Sequence, residues 1–348
     1  SEAAVGVLLA MFALTQVFLA LPAGRYVDKH GLRRPFLWSV AMAIAGAGAA
    51  TLWPIFPVLC FSGLMTGGAT GVAIIALQRH VGRAAKDVAQ MKEAFSWLSI
   101  APAFSNFVGP FTAGLLIDYA GFQWAFLGMA LLPLAAWQCI RWVRELPKVH
   151  KPVGEKKNSA WDLLNEPMFR RLLLVNWFLS ACWDIHTFVV PILGHERGIS
   201  ASAIGSVLGG FAIAAATVRM AMPFISARLQ EWQFITGAMV VTSAVLAVYP
   251  FTSTAMFMGV CSVMLGLSLG GVQPMVMSTL HQITPAHRHG EALGLRIMGI
   301  NASSVLMPMV FGAAGTVIGI SGVFWCVSAV VGLGSRSASQ LRVHKTHG

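Results

Sequence analysis

Charged residues are scarce in this chain. Of its 348 residues, 24 are Lys or Arg and 13 are Asp or Glu, so only 11% are charged, against about 25% in an average soluble domain. Hydrophobic residues make up 56% of the sequence, and the mean hydropathy is +0.71. This composition excludes a disordered chain and disfavours a soluble enzyme. It predicts an all-α polytopic membrane protein.

The sequence also lacks the signatures of several enzymes and pumps. It has no H-E-x-x-H metal motif, no Walker A loop and no cluster of carboxylates within an apolar run. Its few cysteines lie inside or at the edges of apolar runs, which is typical of small buried hydrophobic residues. We therefore expect no enzyme activity, no metal and no cofactor. The five cysteines are Cys60, Cys139, Cys182, Cys261 and Cys326.

Long apolar runs recur along the whole chain. A bilayer core requires about 20 apolar residues per helix, and runs of this order predict eleven spans. They cover residues 2–22, 36–53, 57–78, 93–117, 122–142, 170–194, 201–225, 232–250, 254–277, 290–315 and 318–334. One long polar stretch predicts a linker at 143–169 between two bundles, 1–142 and 170–335, with a tail at 336–348.

The basic residues are distributed asymmetrically among the gaps between these runs. When consecutive spans alternate in direction, all but one of the 24 Lys and Arg residues fall on one side of the membrane, and Arg197 alone falls on the other. Cytoplasmic loops carry such an excess of positive charge. The linker and tail are therefore predicted to be cytoplasmic, in a plasma or inner membrane. Topology also explains the pI near 10.0 without a nucleic-acid partner.

The two halves of the chain repeat one another. At an offset of 198 residues, several Glu, Ser, Pro, Gly and Phe positions match in order. At an offset of 203, two pairs match: Gly63-Leu64 with Gly266-Leu267, and Gly67-Gly68 with Gly270-Gly271. Ordered Gly and Pro matches at one spacing indicate an internal repeat. The matches at 198 pair Glu93, Ala94, Ser105, Pro110, Gly114, Gly121 and Phe126 with Glu291, Ala292, Ser303, Pro308, Gly312, Gly319 and Phe324.

The repeat implies an uneven number of helices in this sequence. The span at 170–194 opens the second half, and its counterpart 198 residues earlier would precede residue 1. We therefore expect a complete design of six plus six helices, related as a parallel repeat, of which eleven are present.

A short loop after the first span carries an ordered pattern of glycine and charge. Residues 24–34 follow Gly-x-x-x-Asp-Lys-x-Gly-x-Arg-Arg. Glycine permits a close backbone approach or a tight turn, and Asp28 can accept hydrogen bonds from a helix N-terminus. An ordinary basic loop would have the charge without this spacing. The pattern favours a functional role for Gly24, Asp28, Lys29, Gly31, Arg33 and Arg34.

This loop resembles the signature between helices 2 and 3 of the major facilitator superfamily. The resemblance covers essentially the whole chain and implies a two-bundle transporter fold, in which the eleven spans are helices 2 to 12. It also implies that the loop is a gating latch, in which Asp28 contacts the start of the span at 290–315. Leu32 stands where the family often has a basic residue. The corresponding loop of the second half, near 222–233, has Ser226 in place of the Asp.

A second resemblance lies in the span at 93–117. Its Gly-Pro-Phe-Thr-Ala-Gly segment is similar to the core of the family's antiporter motif, although Ser105 and Ala113 replace common glycines. A packing seam explains these small residues equally well, since they let a neighbouring helix approach closely. The residues that match the motif are Gly109, Pro110 and Gly114.

Polar residues form a stripe in the span at 170–194. Asn176, Ser180, Asp184 and Thr187 recur at helical spacing, and Trp183 lies at the edge of their arc. Ionisable residues inside a span are candidates for function. Asp184 is the carboxylate nearest the middle of a span, so it is the candidate for proton coupling. The alternative is a structural Asp whose carboxylate is satisfied by neighbouring polar groups.

Further cavity candidates are more isolated. Gln273, Asn106 and Asn301 lie within other spans, where each could contact a substrate or bind a neighbouring helix. His186 falls off the stripe and is expected to be buried or interhelical rather than a proton carrier. Arg219 lies near the inner end of its span and is expected to extend toward the interface.

The sequence thus predicts a secondary transporter that works by alternating access. The resemblance favours a proton-coupled antiporter or exporter of a small molecule, acting as a monomer in the bilayer. The alternatives are a proton symporter, a uniporter of a small metabolite, or a truncated membrane protein without transport.

Overall fold

The structure, a computed structural model, describes residues 2–147 and 159–342. Within these residues the chain is helical throughout apart from short connections, and no strand occurs. The prediction of an all-α polytopic membrane fold is confirmed. The helices are α1 (Glu2–His30), α2 (Arg33–Leu52), α3 (Phe56–Ala84), α4 (Val88–Ala120), α5 (Phe122–Trp142), α6 (Pro167–Glu196), α7 (Ala201–Ile225), α8 (Glu231–Val248), α9 (Ala255–Gly270), α10 (Val272–Ile283) and α11 (His289–Ser339).

Glycines shape the helices that differ from the predicted spans. The predicted span at 254–277 is divided at Gly271 into α9 and α10. The last two predicted spans are joined in α11, which is broken at Gly319, where φ is 72°. Only glycine adopts a positive φ without strain. Eight helices in the described part of the chain are long and apolar enough to cross a membrane.

The internal repeat is visible in how two helix pairs pack. A Cβ on Gly67 of α3 would lie 2.1 Å from the Phe12 carbonyl oxygen of α1. A Cβ on Gly270 of α9 would lie 2.8 Å from the Ala215 carbonyl oxygen of α7. The offset of 203 that relates the two glycines also relates their neighbours. The pair α1–α3 is therefore repeated as α7–α9, and both pairs depend on glycine for their close backbone approach.

The chain divides into two compact units. The first contains residues 1–84, 102–163 and 284–302, and the second contains 85–101, 164–283 and 303–348. Each unit thus includes a short segment from the opposite half of the sequence. At the offset of 198, residues 85–101 correspond to residues 283–299, so the repeat relates the two segments. The predicted bundle boundaries at 142 and 170 remain a prediction.

The cysteines are free, but they are not all buried. Cys182 and Cys261 are buried and Cys60 is half-buried, whereas Cys139 and Cys326 are exposed. The expectation that all five are buried residues was therefore wrong for the last two. A small hydrophobic residue in a membrane helix can face outward as readily as inward, because lipid is as apolar as the bundle core.

Candidate transport pathway and gating loop

The polar stripe of α6 satisfies most of its own hydroxyl groups. The Ser180 hydroxyl donates to the Asn176 carbonyl oxygen at 2.9 Å, and the Thr187 hydroxyl donates to the Trp183 carbonyl oxygen at 2.6 Å. Both bonds lie within the helix at a spacing of four residues. Asn176 is buried, and Ser180 is half-buried. The hydroxyl protons of Ser180 and Thr187 are therefore already donated within the helix. Toward a substrate, each oxygen can act only as a hydrogen-bond acceptor.

Asp184 differs from its neighbours on the stripe. Its side chain is half-buried, and its buried Oδ2 atom has no hydrogen-bond partner among the residues that the structure describes. Buried polar atoms are nearly always paired, and an unpaired carboxylate oxygen is costly. A proton or a ligand donor would satisfy this oxygen. The arrangement suits a group that binds and releases a cation.

Aromatic side chains connect α6 to α7 at Trp183, the residue before Asp184 in the sequence. The Trp183 ring meets the Phe211 ring edge to face, with centroids 4.6 Å apart. The Arg219 guanidinium lies over the Trp183 ring, 5.2 Å from its centroid. Cation–π contacts of this kind are strengthened when the cation is removed from water. Arg219 was expected to extend toward the interface, and this contact with Trp183 was not predicted.

His186 joins helices in the interior, as the sequence analysis expected. It is fully buried, its Nε2 atom lies 2.8 Å from the Ser262 hydroxyl of α9, and its ring stacks on Phe211 at 4.0 Å. The Tyr249 hydroxyl in turn lies 2.7 Å from the Ser262 oxygen. These three polar groups form an interhelical network, in which His186 Nδ1 is buried without a hydrogen-bond partner among the described residues. The prediction of an interhelical histidine is confirmed.

The remaining cavity candidates are less well supported by geometry. The Asn301 amide donates to the Ile297 carbonyl oxygen of its own helix at 2.9 Å. Gln273 is half-buried at the start of α10. The side chain of Asn106 lies outside the described residues. A role for these three in substrate binding remains a prediction.

The antiporter-like segment lies in the middle of α4. The side chain of Pro110 and the surroundings of Gly114 lie outside the described residues. A Cβ on Gly109 would have no described atom within 4 Å. The described residues therefore do not distinguish an antiporter motif from a packing seam, and both remain predictions.

One string in α9 matches a hydrolase motif that the sequence analysis did not expect. Residues 266–270 read Gly-Leu-Ser-Leu-Gly, which fits G-x-S-x-G. In hydrolases this motif requires a strand–turn–helix elbow that exposes the serine. Here it lies inside a helix, and the Ser268 hydroxyl contacts Thr242 and the Leu265 carbonyl oxygen. The two glycines serve the packing of α9 on α7.

The last turns of α1 place Asp28 against the start of α11. Residues 24–34 were predicted to form a loop, but in the structure only Gly31 and Leu32 lie between α1 and α2. The Asp28 carboxylate accepts hydrogen bonds from the backbone N–H groups of Gly290 (2.9 Å) and Glu291 (3.0 Å). It also accepts one from Arg79 Nε of α3 at 2.6 Å. The first N–H groups of a helix lack partners within it, and its dipole favours an anion there. Asp28 therefore joins three helices through one carboxylate.

Two glycines make this contact possible. A Cβ on Gly24 would lie 2.1 Å from the Gly290 carbonyl oxygen, so α1 and α11 touch through their backbones. Gly31 has φ of 77°, which ends α1 and lets α2 begin at Arg33. Leu32, which replaces a frequent basic residue of the family, is 2% exposed and packs into the core.

The loop's cations have different surroundings. Arg33 donates from one terminal nitrogen to the Arg141 and Val143 carbonyl oxygens at the end of α5. Arg25 and Arg288 both pair with the Glu291 carboxylate, at 3.1 and 2.8 Å. Lys29 and Arg34 are exposed.

Opposing effects act on the pKa of Asp28. Burial raises its pKa from 3.8 to about 6, although the Arg79 cation and the two backbone N–H groups act to lower it. Removing a carboxylate from water disfavours its charged form, and these partners favour it. At neutral pH the residue is ionised.

A comparison with protein families identifies the family of this chain. A family model described as the Major Facilitator Superfamily matches residues 1–308. The chain belongs to the major facilitator superfamily. This member is 25% identical over 324 residues to the class B tetracycline resistance protein of Escherichia coli, across 88% of this chain and 77% of that protein.

Solved structures of other major facilitators share the fold. The human organic anion transporter MFSD10 (TETRAN) superposes with a TM-score of 0.82 at 17% identity, over 96% of this chain and 83% of that chain. The Escherichia coli fucose:proton symporter FucP superposes with a TM-score of 0.79 at 12% identity, over 97% and 91%. Identities this low establish a common fold without a common substrate.

Several polar residues of this major facilitator were missed by the sequence analysis. Arg79, which pairs with Asp28, was assigned only to a basic loop. Lys92 and Glu231 form an ion pair between α4 and α8 at 3.4 Å. The repeat could have drawn attention to Arg79, since the offset of 203 places it on Gln282, which contacts Glu231.

Proposed function

We propose that this major facilitator is a proton-coupled antiporter that exports an amphipathic small molecule, with Asp184 as the coupling residue. The observation that carries the proposal is the buried Oδ2 atom of Asp184 in the polar stripe of α6, which has no hydrogen-bond partner among the described residues. One carboxylate that binds either a proton or a substrate makes each ligand weaken the binding of the other. Exchange of the two across the membrane then follows.

The relatives support this proposal without identifying the substrate. One relative is a tetracycline resistance protein, which favours export of an amphipathic compound. The similar structures include an organic anion transporter and a proton symporter, so the fold accommodates other substrates and the opposite coupling direction. The antiporter-like segment of α4 favours exchange.

We further propose that Asp28 and the start of α11 form the cytoplasmic gate. The proposed side follows from the excess of basic residues in the loops that would share it. All three hydrogen bonds are accepted by the one Asp28 carboxylate, so they are lost together when α1 separates from α11 and α3. Such a contact favours one state of an alternating-access cycle.

The direction of proton movement tests the proposed coupling. Purified protein is reconstituted into liposomes that contain pyranine, a pH-sensitive dye, and tetracycline, ethidium or fluorescein is added outside. Antiport of tetracycline or ethidium would make the lumen more alkaline than in protein-free liposomes given the same compound. Acidification would show symport, and uptake without a pH change would show uniport; either result contradicts the proposal. Uptake of fluorescein alone would contradict the proposal, because an anion cannot replace a proton on the Asp184 carboxylate.

A further inference from the structure

A buried lysine lies at the start of α4. The Lys92 side chain is 7% exposed, and its ammonium donates to the Leu229 carbonyl oxygen in the connection before α8. The Glu231 carboxylate lies 3.4 Å from the same ammonium. A lysine is rarely buried to this extent unless its charge is paired. The site thus joins a helix from the first half of the sequence to a loop from the second half, within one compact unit.

Glu231 extends this contact to a third helix. It lies in the first turn of α8, and its side chain is 17% exposed. Its Oε1 atom accepts hydrogen bonds from the Ser278 hydroxyl (3.0 Å) and the Gln282 amide (2.8 Å) of α10. One carboxylate therefore connects α4, α8 and α10, as Asp28 connects α1, α3 and α11.

The internal repeat relates the two contacts. The offset of 198 takes Gly290, a partner of Asp28, back to Lys92. The offset of 203 takes Arg79, the other partner of Asp28, to Gln282. At 198 Asp28 corresponds to Ser226, whose buried hydroxyl has no hydrogen-bond partner in the described part of the chain. At 203, the offset that relates Phe12 of α1 to Ala215 of α7, Asp28 corresponds to Glu231. The motif position is thus lost at Ser226, while Glu231 contacts Lys92 and Gln282, the counterparts of the two partners of Asp28.

The polarity of the second contact is reversed. In the first, an acid in the last turns of α1 accepts hydrogen bonds from the N-terminus of a long helix. In the second, a base from the start of a long helix donates to a carbonyl oxygen and a carboxylate beside the loop. Both arrangements compensate a buried charge with several partners. The buried group is an acid in the first and a base in the second, but the helix starts involved, those of α11 and α4, correspond in the repeat.

We propose that Lys92 and Glu231 are positioning residues of a second gate, which holds the same closed state as Asp28 and replaces the lost aspartate of the repeat. The proposal rests on the proposed alternating-access function. Opening would require both gates to break, and loss of either would shift the protein toward the open state.

Thiol labelling tests this gate without any substrate. Ser96 is fully buried one turn after Lys92, so Ser96→Cys in a background without other cysteines reports opening to a membrane-impermeant maleimide. Lys92→Met and Glu231→Gln are each expected to raise the labelling rate about tenfold, because each leaves a buried partner uncompensated. Lys86→Met, at an exposed lysine in the connection just before α4, is the matched control and should leave the rate unchanged.

Combinations distinguish a gate from a structural brace. Lys92→Met with Glu231→Gln should label no faster than the faster single variant, since both act on one contact. Lys92→Met with Asp28→Asn should label faster than either alone, since the two gates are separate. A lower unfolding temperature with unchanged labelling would overturn the proposal, and Glu231→Gln, which keeps the side-chain shape, decides if Lys92→Met misfolds. Failed transport by the wild type would refute the proposed function but would not alter these labelling rates.

Discussion

Arg79 Nε lies 2.6 Å from Oδ1 of Asp28, and the two side chains are only 4% and 9% exposed. The same carboxylate accepts two N–H groups at the start of α11, so the ion pair fixes the orientation of the group that closes the proposed gate. Breaking a buried pair from one side leaves an uncompensated charge, which costs more than the pair contributes when intact.

Replacing Asp28 with Asn should open the proposed gate. The variant keeps the shape of the side chain but loses the charge that Arg79 and the helix N-terminus compensate, a change of about 3 kcal/mol in a buried pair. Hydrogen–deuterium exchange of peptides covering 284–294 should become faster, and transport should fall while membrane insertion is retained. Asp118→Asn, at an exposed position, is the control. Unchanged exchange and transport would remove the gating role of Asp28.

A methyl group at Gly24 should have a similar effect through sterics. Gly24→Ala places its Cβ 2.1 Å from the Gly290 carbonyl oxygen, so α1 and α11 must separate. Overpacking of this kind typically costs about 1–3 kcal/mol. Gly48→Ala in α2 is the matched control, because its Cβ meets no described atom within 4 Å. If both variants exchange and transport alike, the close approach at Gly24 does not hold the gate.

The fold and its repeat could be read from the sequence, but the pairing of charges could not. Apolar runs locate membrane helices because the bilayer demands about 20 such residues in a row, and the glycine matches at 203 correspond to real backbone contacts in α1–α3 and α7–α9. The ion pair between Lys92 and Glu231 spans 139 positions of sequence. Nothing local in either loop specifies the partner, because that choice depends on which helix ends the tertiary packing brings together.

Helix boundaries near glycine were also hard to predict. Hydropathy alone continues through Gly271 and Gly319, since glycine barely interrupts an apolar run. The structure breaks α9 from α10 at the first and bends α11 at the second. Gly121 and Gly319, matched by the repeat, both have positive φ, so their conformational role could have been inferred from the match.

The interhelical network of His186 should contribute stability rather than coupling. Ser262→Ala removes the hydroxyl that contacts both His186 and Tyr249. Tyr249 keeps its hydrogen bond to the Met258 carbonyl oxygen, but the buried His186 ring loses the one hydrogen bond that it makes to the described residues. Such a loss costs about 1–3 kcal/mol, so the unfolding temperature in detergent should fall. The proton-to-substrate ratio should stay at the wild-type value. A changed ratio would place His186 on the proton pathway.

The most direct test of the proposed mechanism is Asp184→Asn in proteoliposomes, measured in two modes with the compound that the wild type exports. The variant should lose uptake driven by a pH gradient, because asparagine cannot bind and release a proton in exchange for the substrate. Exchange of labelled for unlabelled substrate without a gradient should survive, since the cavity keeps its shape, and Asp118→Asn should behave as wild type in both modes. Gradient-driven uptake at the wild-type level in Asp184→Asn would contradict the assignment of Asp184 as the coupling residue.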